Sequence, residues 1–145
     1  MTFISVTRLR IRSARFLPAF LFDTWQSARQ VRRADGYRGG RMLADRRHTY
    51  WTMTAWNDAV AMRAYMTSGP HRRVMPKLMG WCDQASIAHW TQDDETLPDW
   101  HEADRRMRDE GRVSKVYHPA AGHDPMTFDA PRVSRGTSLT PERRH

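Results

Sequence analysis

Residues 39–56 constrain the fold most, because two extended stretches are joined there by a short polar turn. The first stretch is predicted over 39–46 and the second over 48–56, with the turn near Arg46-Arg47-His48. Side chains of the second stretch alternate between two faces. Trp51, Met53 and Ala55 share one face, and Tyr50, Thr52, Thr54 and Trp56 share the other. Both faces of the resulting sheet therefore need a cover.

Further strands and helices flank this hairpin. Strands are predicted over 3–11, 84–92 and 113–117, and helices over 15–33, 58–67, from Pro70 onward, and 99–110. The order strand, helix, strand, strand, helix, strand is that of the split βαβ motif. The sequence therefore predicts an α+β fold, a ferredoxin-like antiparallel sheet with helices on one face. Little of the chain is left for the second face, so we expect a homodimer in which two sheets close on each other.

The length of 145 residues suits one domain with a hydrophobic core. We predict that this domain spans residues 1–118. From Pro119 onward Pro, Gly, Ser, Thr and charged residues dominate. Residues 119–145 are therefore expected to form a disordered tail.

The formal net charge is +8, and all but two of the 24 basic residues are arginine. They are spread along the chain outside any recognisable binding module, so no nucleic-acid partner is expected. No uninterrupted apolar run approaches the roughly 20 residues that span a bilayer, so no membrane partner is expected either. The single Cys82 cannot form an internal disulfide and suits a reducing compartment. We therefore expect a cytoplasmic protein.

His71 is the first candidate for chemistry, because it follows a Gly-Pro pair that favours the start of a helix. The positive end of the helix dipole disfavours protonation of an imidazole in the first turn. On a helical count His71 shares a face with Met75, Leu78 and Cys82. A neutral imidazole facing an apolar interior suits a general base or a metal ligand. A buried structural histidine that caps the preceding helix is the alternative.

Aromatic residues on the central strands are candidates for a ligand pocket. These candidates are Trp51, Trp56, Trp90, His89 and Tyr50. An aromatic wall suits a flat apolar ligand, whereas the same tryptophans are equally suited to a core or a dimer interface. His89 lies on the strand face opposite to Trp90, so His89 joins the pocket only if that face is hollow.

The predicted helix 99–110 carries four residues that resemble metal ligands, Asp99, His101, Glu102 and Asp104. Three arginines follow directly, at positions 105, 106 and 108. Acidic and basic residues three or four positions apart form local ion pairs on an exposed helix. We therefore expect ion pairs and no metal site.

Several segments together resemble a known superfamily. They are TRL (7–9), QVRRADGYRGG (30–40), YWTMTAW (50–56), AMRAYMTSGPH (61–71), MPKLMGWCD (75–83), SIAHW (86–90) and LPDWHEADRRM (97–107). Through about Tyr117 the chain resembles the dimeric α+β barrel proteins of the antibiotic-biosynthesis-monooxygenase-like superfamily. Within it, the chain is most similar to a little-characterised family of unknown function with a Trp-rich strand. A looser likeness is to spheroidene-monooxygenase-like proteins.

The resemblance implies a monooxygenase-like protein that oxidises or binds a small apolar or aromatic molecule of secondary metabolism. His71 is the expected catalytic residue, and no cofactor is expected. One alternative is a haem-binding protein in which His71 is the axial ligand. The other is a non-catalytic metabolite-binding or accessory protein. The fold hosts several chemistries, so the residues of the site have to decide among them.

Overall fold

A computed structural model describes residues 1–123, 126, 128–131 and 137–142. In this part of the chain the strands are β1 (Thr2–Ile11), β2 (Tyr37–Asp45), β3 (Thr49–Trp56), β4 (Cys82–Gln92), β5 (Arg112–Val113) and β6 (Thr137–Ser138). The helices are α1 (Leu17–Arg32), α2 (Ala59–Met66), α3 (Gly69–Trp81) and α4 (Trp100–Glu110). No helix among these is long and apolar enough to cross a membrane.

The strands form one antiparallel sheet in the order β5-β4-β1-β3-β2-β6. The central strand β1 pairs with β3 on one side and β4 on the other, so that Val6 lies opposite both Met53 and Ala88. This is the strand order of a ferredoxin-like fold. The predicted α+β fold class is confirmed.

Helices α1, α2 and α3 cover one side of the sheet, called here the helix face. Helix α1 begins with Pro18 in its first turn, where its missing N–H has no intrahelical partner to lose. Gly36 follows α1 with φ of 79°, and a Cβ there would lie 2.7 Å from Ala61 Cβ. The side chain of Asp58 caps α2 by accepting a hydrogen bond of 2.8 Å from the Ala61 N–H.

Helix α4 covers the opposite side of the sheet, called here the α4 face. Its buried side chains Trp100, Ala103 and Met107 pack on strand residues that include Ile4 and Trp51. The expectation that little of the chain is left for this face was wrong, because α4 and the residues around it supply the cover. The predicted homodimer itself stays a prediction.

The turn between β2 and β3 is as short as predicted. The Thr49 N–H donates to the Arg46 carbonyl at 3.2 Å, and the two residues between them, Arg47 and His48, have φ of 57° and 58°. Two central residues with positive φ form the type I′ turn that matches the twist of a hairpin. Asn and Gly favour this conformation, so Arg47 and His48 adopt it under strain.

Part of the segment that was predicted to be a disordered tail lies against the domain. Strand β6 pairs with β2, Leu139 is buried, and the Tyr37 hydroxyl donates to the Leu139 carbonyl at 2.5 Å. His123 is also buried. Residues 124, 125, 127, 132–136 and 143–145 lie outside the described residues. The domain boundary at residue 118 stays a prediction.

Candidate functional site

A cavity of about 210 Å³ lies between the helix face of the sheet and helices α1 to α3. Strands β1 and β3 form its floor, and side chains of the three helices form its roof. The fold therefore leaves room for a small ligand on this face.

Hydroxyl groups dominate the floor. Ser5 lies opposite Thr54 and Thr7 opposite Thr52 in the pairing of β1 with β3, and all four line the cavity. Side chains on one face of paired strands are neighbours. The floor therefore presents two adjacent pairs of hydroxyls, which donate and accept hydrogen bonds without carrying charge.

The apolar part of the lining is rich in methionine. Five methionines line the cavity, Met42, Met62, Met66, Met75 and Met79. The thioether chain is flexible and polarisable, so methionine adapts to apolar ligands of different shapes and contacts aromatic rings favourably. The cavity therefore suits a flat or aromatic molecule with a few oxygen substituents.

His71 lies in the first turn of α3 and lines the cavity. Its Nδ1 is 3.3 Å from the carbonyl oxygen of Met66, at the end of α2. A carbonyl only accepts, so Nδ1 carries the proton and Nε2 keeps a free lone pair. Burial lowers the pKa of His71, against a smaller opposing effect of the Met66 hydrogen bond. The imidazole is thus neutral near pH 7 and able to accept a proton.

Gln30 of α1 holds the chain around His71. Its Oε1 accepts a hydrogen bond of 2.8 Å from the His71 backbone N–H. Its Nε2 donates to the carbonyls of Tyr65 at 3.1 Å and Ser68 at 2.7 Å. One carboxamide therefore satisfies the start of α3 and the end of α2, whose backbone groups would otherwise lack partners.

Two tyrosines, Tyr65 and Tyr50, also line the cavity. The Tyr65 ring lies 4.7 Å from the His71 ring, and its hydroxyl donates to the Ser27 carbonyl at 3.3 Å. The Tyr50 ring packs on Phe20 at 4.8 Å. Burial raises the pKa of both hydroxyls. Both tyrosines are therefore neutral near pH 7.

Of the predicted pocket residues, Tyr50 lines the cavity and Trp56 lies on the same sheet face. The Trp56 ring packs against Tyr65 at 5.4 Å, and its indole N–H donates to the Thr54 hydroxyl at 2.9 Å. Trp56 thus contacts two residues that line the cavity, Tyr65 and Thr54.

Trp51 and Trp90, which were predicted to shape a pocket, do not line this cavity. Both lie on the α4 face and belong to the core that includes Trp100. The physical reason is the alternation of side chains along a strand, which sends Trp51 and Tyr50 to opposite faces. Arg106 covers Trp90 at 5.0 Å from its ring centroid. Trp51 and Trp90 therefore pack in the core and against Arg106, on the side of the sheet away from the cavity.

His89 lies on the helix face, two residues along β4 from the cavity-lining Ile87. Its ring packs on Phe3 at 5.3 Å. Burial lowers the pKa of His89, and the nearby positive charges of Arg112 and Arg63 lower it further. Its Nε2 is buried without a partner among the described residues. His89 is therefore a neutral histidine beside the cavity, packed on an aromatic ring.

The acidic residues of α4 form ion pairs, as predicted. Glu102 pairs with Arg105 and with Arg106, the latter at 2.9 Å, and Asp104 pairs with Arg108 at 3.0 Å. Asp99 caps the helix by accepting from the Glu102 N–H at 2.8 Å. Within the described residues no cluster of His, Cys, Asp or Glu could hold a metal ion.

The residues around His71 do not fit haem. The cavity of about 210 Å³ lies below the roughly 300–1,000 Å³ of pockets for drug-sized ligands, and a porphyrin is a large ligand. Lys115 is the one permanently charged side chain among the described lining residues, whereas haem carries two propionates.

Sequence reasoning missed Ser5, Thr7, the methionines and Gln30. The two hydroxyls could have been found by extending the alternation of β3 to β1, since Ser5 and Thr7 share one strand face. The high methionine content, nine in 145 residues, could have pointed to the methionines of the lining. No local sequence pattern could have indicated the role of Gln30, because its three partner residues are 35 or more positions away in the sequence.

No protein-family model matches the chain, and no curated protein matches it by sequence. Solved structures match it by fold. A mutant of SnoaB, a cofactor-independent oxygenase from Streptomyces nogalater, is 19% identical over 68% of this chain and 98% of its own, with a TM-score of 0.55. Rv0793 from Mycobacterium tuberculosis is 11% identical over 67% of this chain and 100% of its own, with a TM-score of 0.60.

A third structure, of an antibiotic biosynthesis monooxygenase, is 11% identical over 66% of this chain and 99% of its own, with a TM-score of 0.56. At these identities the likeness concerns the fold. The fold expected from the resemblance to the antibiotic-biosynthesis-monooxygenase-like superfamily is confirmed.

Proposed function

We propose that the protein is a monooxygenase that binds a small, flat, apolar molecule in the cavity and oxidises it with O2 without a cofactor. The observation that carries this proposal is the neutral imidazole of His71 in the wall of a cavity whose other described lining residues are hydroxyl-bearing and apolar, with the single charged side chain of Lys115. Such an imidazole removes a proton from a weakly acidic substrate, and the enclosed surroundings raise the reactivity of the anion that results.

The chemistry balances for a substrate with a CH2 group between two aromatic rings, activated by a ring carbonyl. His71 Nε2 takes a proton from this carbon, and the carbanion transfers electrons to O2 to form a carbon–oxygen bond. His71 returns this proton to the peroxide, and its Nε2 then takes the second proton of the same carbon as the carbonyl forms and the O–O bond breaks. The departing hydroxide takes that proton from His71 and leaves as water. One oxygen atom enters the product and the other becomes water. The CH2 group supplies all four electrons that O2 takes up, so no reductant is needed.

The floor hydroxyls have a positioning role in this proposal. The pairs Ser5–Thr54 and Thr7–Thr52 are uncharged, and they hydrogen-bond to the oxygen substituents of an aromatic ligand. As the ring carbonyl becomes an enolate, these donors stabilise the negative charge that develops. The methionines contact the ring faces. The fold likeness to SnoaB, described as a cofactor-independent oxygenase, supports the absence of a cofactor in this scheme.

We also propose a role in secondary metabolism, in the cytoplasm, as a homodimer. The α4 face is already covered within one chain, so a dimer has to use another surface or exchange α4 between two chains. Size-exclusion chromatography with light scattering measures the mass of the protein in solution. A mass of 17.0 kDa, that of one chain, would contradict the homodimer.

The experiment is an oxygen-consumption assay with anthrone, a tricyclic compound of this class, on protein freed of metals and flavins. We expect one O2 consumed per anthrone, one labelled oxygen atom in the product from ¹⁸O2, and a loss of roughly 10²-fold or more in rate for His71→Gln. His101→Gln, on the exposed side of α4, is the matched control. An unchanged rate in His71→Gln would refute the role of His71. Binding without oxygen uptake across a panel of such compounds would favour the metabolite-binding alternative.

A further inference from the structure

A second cavity, of about 240 Å³, lies on the α4 face, away from the proposed oxygenation site. It is formed by the ends of β1, β3 and β4, by the β2–β3 turn, and by Phe128 and Asp129. Its lining residues are Arg8, Arg10, Asp45, Arg46, Arg47, Thr49, Gln84, Phe128 and Asp129. The oxygenase scheme uses none of them.

Arg8 is the unusual residue of this cavity. It lies in the middle of β1, opposite Trp51, and is only 6% exposed. Its Nη1 donates to the neutral Gln84 Oε1 at 2.7 Å, and its Nε is buried without an acceptor among the described residues. A buried cation hydrogen-bonded to a neutral amide is only partly compensated.

The surroundings of Arg8 leave this charge incompletely neutralised. The pKa of Arg8 is lowered to about 10, mainly by burial and then by the neighbouring charge of Arg10, whereas Asp45 acts in the opposite direction. Arg10 itself is held by both oxygens of Asp83, at 2.8 and 3.0 Å. Arginine remains protonated at pH 7 even at this pKa, so the chain keeps a cation at the wall of a cavity.

The aromatic side chain of Phe128 closes one side of the cavity. Its ring lies 4.3 Å from the Arg8 guanidinium carbon and 4.3 Å from that of Arg108. The guanidinium plane of Arg8 is therefore held by contacts to an aromatic ring and cannot turn freely toward solvent. A fixed guanidinium is suited to bind an anion with little loss of side-chain freedom.

The β2–β3 turn brings two more cations to the same cavity. Arg46 and Arg47 are exposed and line it, and Arg47 holds a left-handed conformation that arginine rarely adopts. Four arginines face two aspartates, Asp45 and Asp129, so the lining is net positive. Strained residues persist where the surrounding structure determines them, and they occur often at binding sites.

We propose that this cavity is a binding site for a small oxyanion group, a phosphate or a carboxylate, with the Arg8 guanidinium as its main ligand. Arg46 and Arg47 attract the anion, and the Thr49 and Gln84 side chains of the lining are the neutral partners within reach of the same space. The group is carried either by a phosphorylated metabolite or by a carboxylic acid, and this chemistry is distinct from that of the uncharged molecule proposed for the helix-face cavity.

The test is isothermal titration with inorganic phosphate and, separately, with acetate, at an ionic strength held constant with chloride. We expect one bound anion per chain. Arg8→Gln should abolish binding, and the double variant Arg46→Gln with Arg47→Gln should weaken it about tenfold or more. The double variant Arg72→Gln with Arg73→Gln removes the same charge from the exposed side of α3 and should bind like the wild type.

The two anions distinguish the sources of the group. Tighter binding of phosphate indicates a phosphorylated ligand, and tighter binding of acetate indicates a carboxylic acid. Failure of the wild type to bind either anion more tightly than chloride would overturn the proposal. If Arg8→Gln does not fold, the variant at positions 46 and 47 decides, because both side chains are exposed and their loss leaves the core intact. Wild-type affinity in that variant would equally overturn the proposal.

Discussion

The backbone N–H of His71 donates to Gln30 Oε1 at 2.8 Å, across 41 positions of sequence. This bond ties the catalytic candidate on α3 to the last turn of α1. The same carboxamide donates to carbonyls at the end of α2 and in the connection to α3, so three helices meet at one side chain. The orientation of the imidazole therefore depends on a residue outside its own helix pair, and Gln30 is a positioning residue.

Replacing Gln30 with Glu should raise the pKa of His71. The carboxylate cannot donate to the carbonyls of Tyr65 and Ser68, and its negative charge favours the imidazolium form. An NMR titration of the His71 ring protons measures this pKa in wild type and variant. Gln26→Glu, one turn earlier on α1, is the control and should leave the pKa nearly unchanged. A His71 pKa that falls or stays constant in Gln30→Glu would show that Gln30 does not govern the imidazole.

The lowered pKa of His71 predicts how stability depends on pH. The folded state holds the proton less tightly than the unfolded state, whose histidine titrates near 6.5. Between the two pKa values the unfolded chain binds more protons, so the contribution of His71 to the free energy of unfolding falls as pH decreases below about 6.5. At higher pH this contribution is fully present.

Urea denaturation of wild type and His71→Gln between pH 5 and 8 measures this effect. The difference in unfolding free energy between the two proteins should shrink as pH decreases below about 6.5 and stay constant above about 7.5. His89 also has a lowered pKa, but it is present in both proteins and cancels. A difference that stays constant over the whole range would rule out a lowered pKa of His71.

The fold was predictable from local patterns because each element carries its own signal. The alternation along 48–56 gave β3, and the helical spacing from Leu17 to Val31 gave α1, each to within a few residues. The role of α4 was not predictable in the same way. Its spacing predicts a helix but does not say which sheet face receives Trp100, since that depends on the path of the loop before it.

The site was predictable only where the signal was local. His71 was found because a Gly-Pro pair and an apolar helical face adjoin it. The position of Trp51 and Trp90 away from this cavity was not predictable, because the alternation of a strand separates two faces without saying which one is hollow. The contacts of Gln30 and the setting of Arg8 arise from chain segments distant in sequence, and no local pattern reports such contacts.

Two alanines on β4 provide a test of which sheet face is hollow. Ala85 lines the helix-face cavity, whereas Ala88 is packed in the core with α4. Ala85→Leu should extend into free space and change stability little, while Ala88→Leu should destabilise the protein by about 1–3 kcal/mol through overpacking. A neutral naphthylamine dye that fluoresces in apolar surroundings should bind the wild type and fail to bind Ala85→Leu. If both variants were equally destabilised and dye binding were unchanged, Ala85 would not line a cavity.

The strained hairpin turn predicts a stabilising substitution. His48 has φ of 58° and is exposed, and a left-handed conformation costs a non-glycine residue roughly 1–2 kcal/mol. Glycine adopts this conformation without that cost but loses more backbone freedom on folding, about 0.5–1 kcal/mol. His48→Gly should therefore stabilise the protein by up to about 1 kcal/mol, or roughly 2–4 °C in Tm. His101→Gly, in the interior of α4, is the control and should destabilise by about 1 kcal/mol. A lower Tm in His48→Gly would mean that the His48 side chain contributes more than the strain of its backbone.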